Sequence, residues 1–209
     1  MKKLIALLVV VLALPMITVS STADAAEKVI RIPFLTNFTG PSSPFSLRLW
    51  RGAEIAMEEL NATGGVRGGY KLEFYKVDSR SETQSSLTEY RRACKDESIP
   101  MFWANVSSKD VLALYEIAKS CNMATFATSS GAHWPHPDQG KWIFRFLPVP
   151  DLVLPVLYRK LKDKFGVKTV AMGVEIDNPF AVFNAKRARK FFKELGMEIV
   201  VEVDSKMHE

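Results

Sequence analysis

The chain has 209 residues, 47% hydrophobic and 24% charged, which excludes a disordered or collagen-like chain and allows one globular domain or one and part of a second. Its formal charge of +5 is modest, and Lys and Arg alternate with Asp and Glu along most of the sequence, so no nucleic-acid surface is expected. Two cysteines are too few for a disulfide scaffold or a Cys-based zinc site.

Lys2 and Lys3 precede an apolar run over residues 4–17, and the small residues Ala23 and Ala25 follow at the spacing a signal peptidase reads. The run is shorter than the roughly 20 residues a membrane-spanning helix needs. Residues 1–25 are therefore read as a cleaved signal peptide, with the mature chain starting at Ala26. No cysteine lies near the cleavage point, which argues against a lipid anchor, and no later stretch reads as a transmembrane helix. The expected location is the periplasm, an oxidising compartment.

Strand and helix patterns then alternate. Residues 29–35 are rich in β-branched residues and read as a strand. Residues 44–61 read as a helix, with Leu47, Trp50, Ile55, Met57 and Leu60 roughly on one side and Glu54, Glu58 and Glu59 on the other. Gly64, Gly65, Gly68 and Gly69 break the chain, and a strand follows over 71–77. A polar helix over 82–95, a buried strand over 99–103, a helix over 109–120 and a strand over 123–127 come next. After a His-, Pro- and Gly-rich loop at 129–140, the pattern gives a strand at 142–147, a helix at 150–164 and a strand at 167–174. A helix at 179–195 and a strand at 197–203 complete it. Strands joined by helices of this length imply parallel strands and right-handed crossovers. The fold class is α/β with a doubly wound parallel sheet.

The familiar catalytic patterns are missing from the sequence: there is no G-x-S-x-G and no phosphate-binding G-x-x-x-x-G-K-[ST]. The cluster from Gly64 to Gly69 lies between a helix and a strand. A dinucleotide fingerprint needs the reverse order, because the pyrophosphate sits on a helix N-terminus. A tight turn is the simpler reading. His133, His136 and Asp138 are the one candidate metal group, but H-x-x-H in a Pro-rich loop does not fix ligand geometry, so no metal and no cofactor are expected. Cys94 and Cys121 end consecutive helices. Export permits a disulfide between them, and two separate thiols are equally compatible. Lys186, Arg187, Arg189, Lys190 and Lys193 read as the solvated cationic face of the last helix, opposite Phe180, Phe183, Ala188, Phe191, Phe192 and Leu195.

The polar constellation with most promise is one for binding. Asn105-Val106-Ser107-Ser108 follows a buried strand and opens a helix, with Asp110 placed for a Ser107 N-cap. Helix-start N–H groups plus two hydroxyls suit an anion. Ser129 and Ser130 follow the neighbouring strand, and Thr39 with the Gly40-Pro41 turn follows the first. In an open parallel sheet these ends meet at the carboxyl edge, where ligands bind. The plainer alternative is that the serines only cap helices and turns.

In order, the chain shows Thr39-Gly40-Pro41, Gly52-Ala53, a helix ending Glu58-Glu59-Leu60-Asn61, the Gly64–Gly69 cluster, Asp78, and Val106-Ser107-Ser108. This order resembles the leucine/isoleucine/valine-binding proteins, type I periplasmic solute-binding proteins that serve ABC importers. The resemblance extends over essentially the whole mature chain. It implies two α/β lobes with ligand bound between them. Residues 26–146 would be the first lobe and 147–209 the opening of a second that continues further in the family, so the chain is expected to be a truncated form.

The resemblance gives Ser107 and Ser108 the ligand carboxylate, and Ser129, Ser130 and Gly131 the contacts beside it. Gly131 departs from a common threonine. Phe45 stands where an aromatic can cover the ligand and Phe180 where the second lobe often has a tyrosine. The implied ligand is a branched-chain or other amino acid, or an aromatic or aliphatic carboxylate. The implied partner is a membrane ABC permease. An extracytoplasmic sensory domain and an α/β hydrolase are the alternatives; the second lacks a recognisable nucleophile–base pair.

Overall fold

The computed structural model describes residues 28–127, 141–145 and 147–206. The elements alternate as the sequence predicts: β1 (Val29–Thr36), α1 (Ser43–Ala62), β2 (Lys71–Asp78), α2 (Thr83–Ala93), β3 (Phe102–Asn105), α3 (Ser108–Ser120), β4 (Thr125–Ala127), β5 (Ile143–Arg145), α4 (Pro150–Phe165), β6 (Thr169–Glu175), α5 (Pro179–Leu195) and β7 (Glu198–Ser205). The leader segment and the 129–140 loop, with Ser129, Ser130, Gly131 and the His133, His136 and Asp138 group, lie outside the described residues.

The strands form two sheets. The first has the order β2-β1-β3-β4-β5, parallel throughout, and the second pairs β6 with β7, also parallel. The chain leaves β1 first toward β2 and then, past β1, toward β3. That reversal places a crevice between the carboxyl ends of β1 and β3, where ligands settle in open α/β sheets.

Alternation along β3 divides the first sheet's two faces. Phe102 and Ala104 are fully buried and join Leu35, Tyr90, Val111, Leu114 and Tyr115 in the core beneath α2 and α3. Trp103 points to the other face. There the register aligns Phe34, Trp103, Phe126 and Phe144 across four strands, and their rings stack at 5.5–6.1 Å. α1 covers the Phe34 end of this row, its Trp50 ring meeting Phe34 edge-on at 5.2 Å.

Three readings need correction. β3 starts at Phe102 rather than residue 99, because the preceding stretch is a turn: Ser98 N–H donates to the Asp96 carboxylate and Ile99 N–H to the Asp96 carbonyl. Pro100 has no N–H to give a ladder. The stripe read on α1 holds only in part: Trp50 is buried and Met57 and Leu60 are half-buried, but Leu47 and Ile55 are exposed and Ser46, outside the stripe, is buried. Arg187 does not belong to a solvated face. Its guanidinium lies 3.5 Å from the Phe183 ring centre and forms an ion pair with Asp151, which ties α5 to α4.

The glycine cluster is a turn, as read. Gly65 has φ +80°, and a Cβ there would come within 2.1 Å of the Tyr70 carbonyl oxygen, which accepts a hydrogen bond from Val66 N–H. The close approach and the positive φ both call for glycine.

Candidate functional site

The polar residues at the crevice arise from the strand ends. Thr36 closes β1 and Asn105 closes β3. The Thr36 hydroxyl donates to the Asn105 carbonyl at 2.8 Å and accepts from the Asn105 side-chain amide at 3.0 Å. This reciprocal pair, fully buried on the Thr36 side, fixes the two strand ends against each other. Asn37, next in line, accepts a hydrogen bond from the buried Ser79 hydroxyl beyond β2. Three loops are thereby held at one edge.

α3 begins at this edge. Ser107 is its N-cap, with extended backbone (φ −61°, ψ 159°), and its hydroxyl oxygen accepts from Asp110 N–H at 3.3 Å. The same hydroxyl donates to the Asp110 carboxylate at 2.9 Å. The Ser107 side chain is thus committed to capping. The first intrahelical bond runs from Val111 N–H to the Ser107 carbonyl, so the N–H groups of Ser108 and Lys109 have no carbonyl a turn earlier. They give the helix start its partial positive charge.

Around this helix start lies a cleft of about 220 Å³. Its first-sheet wall comes from Asn37, Ser42, Phe45, Ser46, Asn105, Val106, Ser107 and Ser108; Asn178 and Phe180 face it from the start of α5. Asn178 is the α5 N-cap: its side-chain oxygen accepts from Phe180 N–H at 3.0 Å and its amide donates to Glu175 at 2.6 Å. The cap sets the direction in which α5 leaves β6 and so where Phe180 stands.

Of the residues singled out from sequence, Phe45, Ser107, Ser108 and Phe180 are brought together here; Ser129, Ser130 and Gly131 lie outside the described residues. Sequence reasoning placed Asn105 in the same polar run as Ser107 and Ser108, without a ligand role, and passed over Asn37, Ser46 and Asn178. Asn178 before Pro179 carries a helix-start signature that was available. Ser46 sits within a helix, where nothing local distinguishes a buried serine from an exposed one.

Cys94 and Cys121, the residues after α2 and α3, are joined by a disulfide with Cα atoms 5.7 Å apart. The bond fastens the two helices that cover one face of the first sheet. A larger hollow of about 630 Å³ lies between β2 and α2, lined by Tyr75, Asp78, Arg80, Glu89, Arg92 and Asp96 and reaching Pro33 of β1 and Phe102 of β3. Its carboxylates are engaged locally: Asp78 by Thr39 and Arg80 N–H, Asp96 by Ser98, and Glu89 by Arg92 at 4.0 Å. It also lies on the α2 side of the sheet and takes in none of the residues that follow β1 and β3 at the reversal of strand order. The smaller cleft is the better candidate site.

A two-sheet parallel α/β fold with a cleft at the strand ends defines the class of periplasmic binding proteins. The family model described as a periplasmic binding protein matches residues 29–208, and the chain belongs to this family. It is 25% identical over 198 residues to a Leu/Ile/Val-binding protein homolog 7 of Brucella abortus, covering 91% of this chain and 49% of the relative. Among solved structures it resembles the branched-chain amino acid transporter substrate-binding protein LivJ of Streptococcus pneumoniae in complex with isoleucine. That match has a TM-score of 0.75 at 20% identity and covers 87% of this chain and 51% of the other. It also resembles an ABC-transporter solute-binding protein of Rhodopseudomonas palustris BisB5 in complex with 3,4-dihydroxybenzoic acid. There the TM-score is 0.71 at 14% identity, with 86% and 48% covered. The chain spans about half the length of the curated relatives it matches. Among the described residues no helix is long and apolar enough to cross a membrane.

Proposed function

We propose that this chain acts as the substrate-binding component of an ABC importer, without catalysis, and holds a small carboxylate solute in the cleft between its two sheets. One observation carries the reading: the α3 N-terminus, with Ser108 beside it, opens into a cleft whose opposite wall is the start of α5. A carboxylate docked there meets N–H groups that the helix itself leaves without partners. At about 220 Å³ the cleft is smaller than the roughly 300–1,000 Å³ typical of drug-sized sites, which suits a metabolite of amino-acid size. The similar structures hold isoleucine and a dihydroxybenzoic acid, and both ligands carry a carboxylate. Export by the signal peptide at residues 1–25 and delivery to a membrane permease complete the proposal.

Calorimetry with a panel of amino acids and simple carboxylic acids tests it. Saturable binding of at least one carboxylate, lost when the carboxylate is replaced by the primary amide, is the expected result. Equal binding of acid and amide would remove the helix start from the site.

A further inference from the structure

Among the described residues the chain crosses from the first sheet to the second once. After β5 it passes through residues 147–149 into α4, and only then into β6. α4 therefore stands where a change of angle between the sheets must act, yet it is loosely seated. None of its side chains is buried, and Leu152, Val153, Val156 and Leu157 are exposed. Pro155 lacks the N–H that would bond the Asp151 carbonyl four residues back, so the first turn of α4 misses a helix bond. Two contacts fasten the helix to α5: Tyr158 lies against the Phe192 ring at 4.5 Å, and Asp151 pairs with Arg187. The Arg187 side chain is only 17% exposed, and its guanidinium lies 3.5 Å from the Phe183 ring centre. Phe183 follows Phe180 by one turn and Arg187 follows Phe183 by another, so these residues share one side of α5. At the head of that side Asn178 and Phe180 line the cleft, and α5 also touches α3 across it.

Resting on the binding reading above, we infer that Arg187 is a positioning residue: by gripping Asp151 it makes α4 and α5 one body, so that the connection between the sheets carries the Asn178 and Phe180 wall with it as the cleft opens and closes. An ion pair withdrawn from water adds little net stability, because desolvation offsets the attraction; what it supplies is a fixed relative position. The Phe183 ring beneath the guanidinium passes that position along α5 toward Phe180. Without the pair α4 would pivot on Tyr158, and the wall would lose its register with the start of α3.

Spin labels on the full chain at Lys160→Cys of α4 and Lys186→Cys of α5, both exposed positions, read the tether directly. Asp151→Asn is expected to broaden the distance distribution between the labels and to move the Asn178 and Phe180 amides in NMR spectra without ligand, while the melting temperature stays close to the parent's. Leucine or benzoate bound to the variant should dissociate about two- to tenfold faster. Asp151→Glu, which keeps the carboxylate, should restore most of each change. Should Asp151→Asn lose its folded spectrum, Arg187→Lys is read in its place, since it keeps the charge but not the planar fork over Phe183. A distance distribution unchanged from the parent overturns the inference. So does a broadened distribution with unmoved Asn178 and Phe180 amides, because the pair would then hold only the start of α4. If neither leucine nor benzoate binds the parent chain, the failure belongs to the binding reading, and the label distances with the two amides still decide this inference.

Discussion

Thr39 is fastened to Asp78 twice, its hydroxyl donating to one carboxylate oxygen at 2.7 Å and its backbone N–H to the other at 3.1 Å. Arg80 N–H adds a third bond at 2.9 Å. The carboxylate thereby holds the loop after β1, which leads into α1 and Phe45, against the end of β2. Gly40 follows Thr39 with φ +86°, and a Cβ there would lie 2.7 Å from the Arg80 carbonyl oxygen, so the two loops pack as closely as their backbones allow.

This pairing gives an acid-dependent contribution to stability. Burial pushes the Asp78 carboxyl up, but the Thr39 hydroxyl and the N–H groups of Arg80, Thr39 and Phe38 together hold it below its ordinary value. A carboxyl with a depressed folded-state pKa contributes stability above the unfolded value of about 3.9, and that contribution is lost as pH falls through the lower folded value. Asp78→Asn is expected to cost about 1 kcal/mol at neutral pH, given the exposed setting. The gap between variant and parent should close below about pH 4. Denaturant titrations at pH 7 and pH 3 measure it, and a gap that is unchanged at pH 3 would count against the pairing.

The Cys94–Cys121 bond closes a loop with a sequence separation of 27. A loop of that size removes between about 3 and 4 kcal/mol of chain entropy from the unfolded state. Reduction, or the Cys94→Ser, Cys121→Ser double variant, is expected to lower the melting temperature clearly while leaving the far-ultraviolet spectrum of the folded form unchanged. Identical melts with and without reductant would show that the bond constrains nothing.

Tyr90 on α2 reaches across the core to Thr125 on β4, with 2.5 Å between their hydroxyl oxygens. Both residues are fully buried. Burial raises the phenol well above its ordinary pKa, and the Thr125 bond only partly opposes this. The folded state therefore favours the neutral phenol, and stability falls as pH rises past the unfolded value of about 10. Tyr90→Phe should lose about 1 kcal/mol at neutral pH. Above pH 10 the variant should decline less steeply than the parent, as alkaline denaturation curves would show.

The succession of elements was legible because every helix but α2 carries a start or stop signal of its own. Pro179 opens α5, Gly166 and Gly196 end α4 and α5 with left-handed backbone, and the Gly64–Gly69 turn separates α1 from β2. Strand ends were less legible, since β3 depends on where the Asp96–Ser98 turn releases the chain. Burial was least so. Leu47 and Ile55 fit a core-facing stripe yet are exposed, because helix periodicity does not say which side finds a partner. At the site, Ser107 announces itself through Asp110 three residues on, a local pattern. Asn105 was legible as part of the polar run at 105–108, but its bonds to Thr36, 69 positions away, were not, and Ser46 matters through its depth in the cleft, which no local pattern encodes.

The two adjacent serines should separate by mechanism. The Ser107 hydroxyl both accepts from Asp110 N–H and donates to the Asp110 carboxylate, so its proton is already committed. Ser107→Ala is expected to cost about 1 kcal/mol of stability through loss of the cap and to weaken ligand binding only modestly. Ser108, buried at the first position of α3 on the cleft wall, contributes no cap. Ser108→Ala should leave the melting temperature nearly unchanged and weaken carboxylate binding about tenfold, the effect of losing a hydrogen bond to a charged group. Paired melting and calorimetric measurements on both variants give a crossed pattern if this division holds. If Ser107→Ala weakens binding more than Ser108→Ala at equal stability, the roles are reversed, and the hydroxyl that caps the helix in the unliganded chain must turn to the ligand when it binds.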